Sequence, residues 1–543
     1  MKNFDFDLPA IQAGAPRPEF CDASACRKWL KTLPLTNIQS LHGEIREQLE
    51  LLSHFALPAL ERLKILEQLR ETVAYLANEL GKKFCNKPLP FSSLEQVAWN
   101  NEQALWLNFA KIYLQVLEAA KKGDADVSPF SALITQRAMS CITAQMIGFA
   151  HAHRLVPAAM WRQMHLLFHH AETRGVAAKR IKDALNHEDG TNSCEAAYAK
   201  ALLFGLADPQ QLNSRQIIQL DRWLYRWSAR ATLGKDQPPT PSLPLVSVDL
   251  AGESGAEIYT GQTMSERRFV DTERLALSLR KRIKFLNGGG NPAEVGLGDE
   301  CVQPACEVLL SAVYKRWCEA PLARTAPRDS KGNNAQLCFA FPAIYFFLSD
   351  ASPFKQPGET LDVAPEIMED MRMFGRVTQR TEKLLFSRLG FTLENWNNLD
   401  QSAGGFRLSR SSEGERISQN QLIALRSSEN SPFNLAVVRW LMVDNDTSDL
   451  SIGARVLPGL PTAIAARQVT LNQADMGLFS PAFQLSAAPE QQESVSLILP
   501  IGWFQPGKLV QIYTSMAETV KLVSLLEKGT NFERVTFVSE PMF

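Results

Sequence analysis

The chain has 543 residues, 45% of them hydrophobic and 21% charged, with 57 basic against 58 acidic side chains. This length exceeds what one hydrophobic core usually supports, so two to four globular domains are expected. The formal net charge of −1 gives no overall basic field for nucleic acid or for an anionic membrane surface.

The sequence is expected to contain no signal peptide and no transmembrane span. The first residues, Met1 to Leu8, are acidic and lack the apolar core of a signal peptide, and no uncharged run approaches the roughly twenty apolar residues of a bilayer span. We therefore expect a cytoplasmic protein without membrane insertion. The 9 cysteines are scattered without Cys-x-x-Cys pairs, which indicates reduced, mostly structural thiols.

Residues 1–237 are predicted to form a helical bundle or solenoid. Between Pro58 and Leu80, leucines and isoleucines recur at the i, i+3, i+4 spacing of an amphipathic helix. Similar runs cover residues 92–121, 128–154, 157–174, 193–206 and 214–232. Paired helices of this kind commonly bind proteins, and we expect an unidentified protein partner here by analogy with the fold class.

The sequence offers no catalytic or metal-binding constellation. All 8 histidines precede residue 188, and His165 and His169 have the i, i+4 spacing of paired metal ligands without the glutamate of His-Glu-x-x-His. We predict that the protein is not an enzyme, with no catalytic residues, no metal and no cofactor.

Residues 245–360 are predicted to be a mixed α/β module that follows a Pro-rich linker, Pro238–Pro244. A short strand at 245–250, a charged helix from Phe269 to Phe285 and a buried apolar element at 336–348 are expected. The glycine run after Asn287 lacks a following Gly-Lys-Ser/Thr, so it indicates a turn and not a phosphate loop.

Residues 366–543 are predicted to contain an antiparallel β-barrel. Phe406 and Leu408 alternate with Arg407 and Ser409, as in a half-buried strand. Further short apolar runs at 421–426, 435–443 and 450–457, separated by polar turns, favour a closed barrel. Strand-like runs at 494–500, 509–513 and 534–538 either enlarge the barrel or form a second β layer.

Two short motifs precede and enter this barrel, Arg376-x-x-x-Arg380 and Asp400-x-Ser402-x-x-Gly405. Their order and spacing resemble the PilZ family, whose members bind cyclic di-GMP on the outside of a small β-barrel. The resemblance covers residues 370–460 and implies a PilZ-like antiparallel barrel in the C-terminal part. Together with the all-helical N-terminal region and the middle α/β module, this predicts a multidomain α+β protein.

The resemblance implies a ligand role for Arg376, Arg380, Asp400, Ser402 and Gly405. Arginine forks can clamp phosphate oxygens or the guanine N7 and O6 edge, and an aspartate can accept from guanine N1–H and N2–H. Arg372 and Arg407 are additional candidates, since Arg372-x-x-x-Arg376 gives a second register. Arg410 and Arg439 on the strands could add phosphate contacts.

Two alternatives remain open from the sequence. Arg372, Arg376 and Arg380 could form a solvated helical stripe paired with Glu366, Glu369 and Asp370, the Asp400 segment being only a hairpin turn. The expected function is a cyclic di-GMP-binding regulator that couples the ligand to a protein partner of the helical region. The alternative is an interaction scaffold with a degenerate, non-binding PilZ-like domain.

Overall fold

The structure is a computed structural model that describes residues 7–188, 190–237, 243–320, 334–359, 365–375, 377–402, 404–428, 431–469 and 477–540. Arg376 of the first motif, Ala403 of the second and residues 238–242 of the predicted linker lie outside these ranges.

The chain forms two compact units. The first comprises Met1–Lys87 and Phe91–Ala323, and the second comprises Pro88–Pro90 and Arg324–Phe543. The division into three domains at 1–237, 245–360 and 366–543 stays a prediction.

The described part of the first unit is mainly helical. Its α-helices are α1 (Ala23–Leu30), α2 (Ile38–His54), α3 (Ala59–Phe84), α4 (Ser93–Lys121), α5 (Ser131–His151), α6 (Ala158–Thr173), α7 (Cys194–Leu206), α8 (Ser214–Trp227), α9 (Glu273–Asn287) and α10 (Ala305–Cys318). The helices α3 to α8 confirm the helical runs predicted from periodicity.

Local sequence explains where several of these helices begin. Ser92 and Glu95 form a capping box at α4, in which each side chain satisfies the other residue's backbone N–H. Asn213 and Gln216 form the same reciprocal arrangement at α8. The apolar faces of all ten described helices contribute to one continuous core, which extends from Phe20 to Cys318.

Six short strands complete the first unit: β1 (Ile181–Lys182), β2 (Thr191–Asn192), β3 (Thr232–Gly234), β4 (Val246–Asp249), β5 (Glu257–Ile258) and β6 (Arg267–Asp271). The last four form an antiparallel sheet in the order β3-β6-β4-β5.

Two expectations for this region are wrong. Phe269 begins no helix, because it lies within β6, where pairing with Ser247 buries its side chain, and α9 starts only at Glu273. Cys301 and Cys306 are joined by a disulfide and are not reduced thiols.

The second unit contains twelve described strands in two closed antiparallel barrels. The first barrel has β7 (Asn334–Cys338), β8 (Glu394–Ser402), β9 (Gly405–Arg410), β10 (Leu422–Arg426), β11 (Asn434–Val443) and β12 (Leu450–Val456). The second has β13 (Pro461–Gln468), β14 (Ser480–Leu485), β15 (Ser496–Pro500), β16 (Leu509–Tyr513), β17 (Ala517–Lys528) and β18 (Phe532–Ser539).

The barrels share one topology. Around the first barrel the order is β7-β8-β9-β12-β11-β10, and around the second it is β13-β14-β15-β18-β17-β16. Numbering the strands from one within each barrel gives 1-2-3-6-5-4 in both cases. The predicted α+β class with a closed antiparallel barrel is confirmed. However, β7 had been expected in the middle module, and it closes the first barrel because it pairs with β8 and β10.

Helix α11 (Phe341–Leu348) lies where the barrels meet. Its Ala343 and Ile344 share an apolar cluster with Val437 of the first barrel and with Phe483 and Ile498 of the second. Two further helices, α12 (Pro365–Phe374) and α13 (Gln379–Arg388), pack through Ile367 and Leu385 around Phe346 of α11.

The described helices have the character of helices that pack within a folded domain. None of them combines the length and apolar character needed to cross a bilayer. Among the described residues no three His, Cys, Asp or Glu side chains converge as metal ligands. His165 instead contacts the Tyr198 hydroxyl at 2.6 Å and the Ser254 carbonyl at 3.0 Å.

Glu102 of α4 yields a test of the first unit. The side chain is 6% exposed and lies against Gly148 of α5, where a Cβ would come within 2.7 Å of its carboxylate. Burial raises the pKa of Glu102 from an ordinary 4.5 to about 8. The folded state keeps this proton while the unfolded state releases it, so stability falls as pH rises from about 5 to 8.

We expect Glu102→Gln to flatten this decline, which amounts to about 1.4 kcal/mol for each unit of pKa difference. Urea unfolding at pH 5 and pH 8 measures it. Glu71→Gln removes an exposed carboxylate of α3 and should leave the decline unchanged. Parallel pH profiles for wild type and Glu102→Gln would contradict the prediction.

Candidate functional site

The second motif lies on the outer surface of the first barrel. In the antiparallel ladders, residues directly opposite each other share a face, and alternate residues of a strand face outward. Leu408 and Ile452 are fully buried inside the barrel, so Arg407 and Gly453 face outward. We call the surface formed by β8, β9, β12 and β11 on this side the outer face.

Two parallel rows of residues cross the outer face. The ladder pairs Asp400 with Arg407, Arg407 with Gly453, and Gly453 with Trp440. The adjacent row pairs Ser402 with Gly405, Gly405 with Arg455, and Arg455 with Val437. The structure therefore brings Asp400, Ser402, Gly405 and Arg407 together, although the turn between β8 and β9 separates the first two from the others.

Trp440 lies flat on the backbone of Gly453. A Cβ built at Gly453 would stand 1.9 Å from Trp440 Nε1 and 2.2 Å from Cε2, so only glycine admits the indole in this position. The ring consequently forms a flat aromatic surface in the same row as Arg407 and Asp400. Such a surface can stack on a nucleobase.

A β-bulge flanks each side of the outer face. The register between β8 and β9 shifts between Asn398 and Asp400, and that between β11 and β12 shifts between Val438 and Trp440. The extra residues are Leu399 and Arg439. Bulges re-aim side chains and often border functional sites.

Three arginines give the outer face a basic character. Nε of Arg407 is buried without a hydrogen-bond partner among the described residues. Arg455 Nη2 donates to Glu527 Oε2 at 2.5 Å, and Arg439 Nη2 lies 2.7 Å from Glu527 Oε1. Glu527 belongs to β17 of the second barrel, so both barrels contribute to the charge at this edge.

The first motif lies on the helices that precede β8. Arg372 is exposed on α12 and Arg380 is exposed in the first turn of α13, while Arg376 lies outside the described residues. The convergence of the first motif on Asp400 therefore stays a prediction.

The interpretation of these arginines as one helical stripe is wrong. Thr378 caps α13, and its N–H and hydroxyl both donate to Asp370 at 2.7 Å, so α12 and α13 are separate helices. Both hydrogen bonds lower the pKa of Asp370, and the bond from the Thr378 hydroxyl has the larger effect. Glu366 pairs with Arg388 of α13 at 2.8 Å.

Arg410 does not reach the outer face. It points into one end of the barrel, where its guanidinium contacts Glu394 at 3.2 Å and lies 4.9 Å from the centre of the Trp396 ring. The expectation that Arg410 contacts a phosphate is wrong, because Arg410 has the same strand parity as the buried Leu408.

Sequence analysis did not identify Trp440, Arg455 or Glu527. The contact of Trp440 with Gly453 depends on a cross-strand register after a bulge, which no local pattern encodes. Glu527 is 72 residues from Arg455 along the chain. Only the alternation of Arg455 with buried Ala454 and Ile452 signals an outward basic residue.

A separate cavity of about 470 Å³ lies in the first unit. Its charged walls neutralise each other: Arg70 contacts Asp183 at 2.5 Å, and Lys200 contacts Asp221 at 2.6 Å. Burial opposes ionisation of Asp183, yet Arg70 and Arg137 hold its pKa below the ordinary value. Since these charges satisfy one another, the outer face is the better candidate site.

The glycine of the second motif has a structural role that can be tested. A Cβ at Gly405 would approach the Ala454 carbonyl oxygen of β12 to 2.7 Å, closer than real Cβ contacts, so alanine must displace a backbone strand. We expect Gly405→Ala to destabilise the protein by roughly 1–3 kcal/mol, measured by urea unfolding. The neighbouring Gly404→Ala, whose Cβ meets nothing within 4 Å, is the control. Equal stability of the two variants would contradict this role.

Comparisons with known proteins match both units. Residues 24–239 match the family described as the N-terminal domain of the cyclic-di-GMP receptor FimW, and residues 464–539 match the FimW C-terminal beta-barrel domain. The second match spans most of the second barrel. The curated cyclic-di-GMP receptor FimW of Pseudomonas aeruginosa strain PAO1 is 23% identical over 93% of this chain and 89% of its own length. The chain is thus similar to this receptor along most of both sequences.

Proposed function

We propose that this protein is a non-enzymatic regulator that binds cyclic di-GMP on the outer face of its first barrel. Similarity to a cyclic-di-GMP receptor supports the ligand. The observation that carries the site is the placement of Asp400, Ser402, Gly405 and Arg407 in two adjacent rows of one outward surface.

The charges of the outer face suit both the phosphodiesters and the guanine bases of cyclic di-GMP. Each phosphodiester carries one negative charge, and Arg407, in the outward row opposite Asp400 and Gly453, offers it a guanidinium group. Asp400 would repel phosphate, so it accepts from the N1–H and N2–H donors of guanine. Trp440, in the same row, provides the stacking surface for that base.

The arginines before β8 complete the proposed site. Arg376 and Arg380, or Arg372 and Arg376 in the second register, close over the bound ligand and clamp phosphate or the guanine N7 and O6 edge. Ser402 contributes a hydroxyl, and Gly405 leaves its row without a side chain, which lets the ligand approach the strand backbone.

We also propose that the first barrel is related to the PilZ family and that ligand binding to it is coupled to a protein partner. The ligand regulates only if it binds one arrangement of the protein better than another. We propose that closure of the segment carrying Arg372, Arg376 and Arg380 is that change, and that the helical unit binds the responding protein partner.

Isothermal titration calorimetry with cyclic di-GMP tests the site. We expect Arg376→Ala, Arg380→Ala and Asp400→Asn each to weaken binding at least about tenfold, because a bidentate contact to a base contributes roughly 1–3 kcal/mol. Arg388→Ala is the matched control, since Arg388 lies on α13 with Arg380 but pairs with Glu366.

The possible results separate the two functions. Loss of binding in Arg372→Ala and not in Arg380→Ala would move the clamp to the second register. Equal affinities across all the variants would place the ligand elsewhere. An absence of binding by the wild type would contradict the receptor function and favour a scaffold with a degenerate barrel.

A further inference from the structure

An ion-pair cluster joins the two barrels beside the outer face. Glu527 of the second barrel is 13% exposed and lies between Arg439 and Arg455 of the first, which are 38% and 39% exposed. Its carboxylate accepts from Arg455 Nη2 at 2.5 Å, whereas its other oxygen, 2.7 Å from Arg439 Nη2, lacks hydrogen-bond geometry. One side of the cluster is therefore a directed hydrogen bond, and the other is only an ionic contact.

The cluster holds more positive than negative charge. Two guanidinium groups face a single carboxylate, so a net charge of about +1 remains on this group of three side chains. Two arginines around one anionic group form an arrangement that also suits a phosphodiester, which presents two oxygens to planar forks. Glu527 thus occupies the position that an anion from outside would take.

The cluster also lies within reach of the proposed ligand. Arg455 is directly opposite Gly405, and Gly453, two residues away on β12, is directly opposite Arg407. Arg455 and Arg407 are therefore diagonal neighbours on one surface, typically 7–8 Å apart at their backbones, within reach of long side chains. The same phosphodiester can contact both.

Two irregularities in strand pairing lie close to Glu527 on β17. The register of β17 with β18 slips twice near this end, between Leu522 and Ser524 and between Leu525 and Glu527. Apart from this cluster, Asn531 Oδ1 accepts from the Leu422 N–H at 2.9 Å, and a shared apolar core holds the barrels together. The contacts that join the barrels therefore do not depend on the Glu527 carboxylate alone.

We propose that Arg455 and Arg439 are further ligand-binding residues and that Glu527 is their built-in competitor, which a phosphodiester of cyclic di-GMP displaces. This inference rests on the proposed function. Ligand binding to the first barrel would then also change the second barrel, because the displaced carboxylate, that of Glu527, belongs to β17.

Affinity measurements test the exchange. Glu527→Gln keeps the size of the side chain and removes the competing charge, so we expect binding at least about fivefold tighter than wild type. Arg455→Ala should weaken binding at least about fivefold, in wild type and in the Glu527→Gln background alike. Glu518→Gln, which removes an exposed carboxylate from the same strand, controls for net charge and should bind as wild type does.

Hydrogen exchange supplies a second measurement on the full-length chain. Saturating cyclic di-GMP should speed amide exchange in residues 523–528 of wild type and change it little in Glu527→Gln, where the pairing is already lost. Exchange in β13 to β15 should stay constant, because the apolar interface persists.

The results distinguish this inference from the function beneath it. One outcome would be that Asp400→Asn and Arg380→Ala weaken binding while Glu527→Gln and Arg455→Ala match wild type. The proposed binding of cyclic di-GMP would then hold, and the proposed displacement of Glu527 would be wrong. Protection of residues 523–528 on binding would also overturn it. If wild type binds no cyclic di-GMP, both proposals fall together.

Discussion

The strand register of the first barrel is the constraint on which the candidate site depends. Asp400, Arg407 and Gly453 are brought into one row only because β8, β9 and β12 pair as they do. A slip of one residue would turn these side chains inward and place Leu408 and Ile452 in solvent. Burial of that apolar interior therefore fixes which residues form the candidate surface.

The two barrels share one topology but differ in the residues that equivalent strands direct outward. On the second barrel the strands equivalent to β8, β9 and β12 are β14, β15 and β18. Their outward residues Phe483, Ile498 and Phe532 are apolar and fully buried against the first barrel and α11. The face that is polar in the first barrel is therefore largely an apolar interface in the second, although Arg534, opposite Ile498, adds a buried charge to it.

Sequence patterns predicted what depends on neighbours along the chain. The alternation of Phe406 and Leu408 with polar residues predicted the strand β9, and leucine periodicity predicted the helix α3. The role of β7 could not be read this way, because closure of the barrel needs pairing with β8 and β10 across long separations. The second closed barrel was missed for the same reason, since isolated strand-like runs do not specify which partners complete a sheet.

The candidate site likewise contains residues that local sequence predicts and residues that only tertiary pairing brings together. Asp400, Ser402 and Gly405 lie close together on β8 and β9 of one hairpin, because the motif is local in sequence. The indole over Gly453 and the carboxylate beside Arg455 depend on tertiary pairing, so composition and spacing do not predict them.

The two carboxylates of the surface, Asp400 and Glu527, also differ in how they are held. Asp400 is fixed by the ladder that positions Arg407, whereas Glu527 reaches the surface from another barrel, at the end of a strand with two bulges. In the proposed site Asp400 reads the base and Glu527 is exchanged for a ligand anion, and this assignment follows the difference in how the two carboxylates are held.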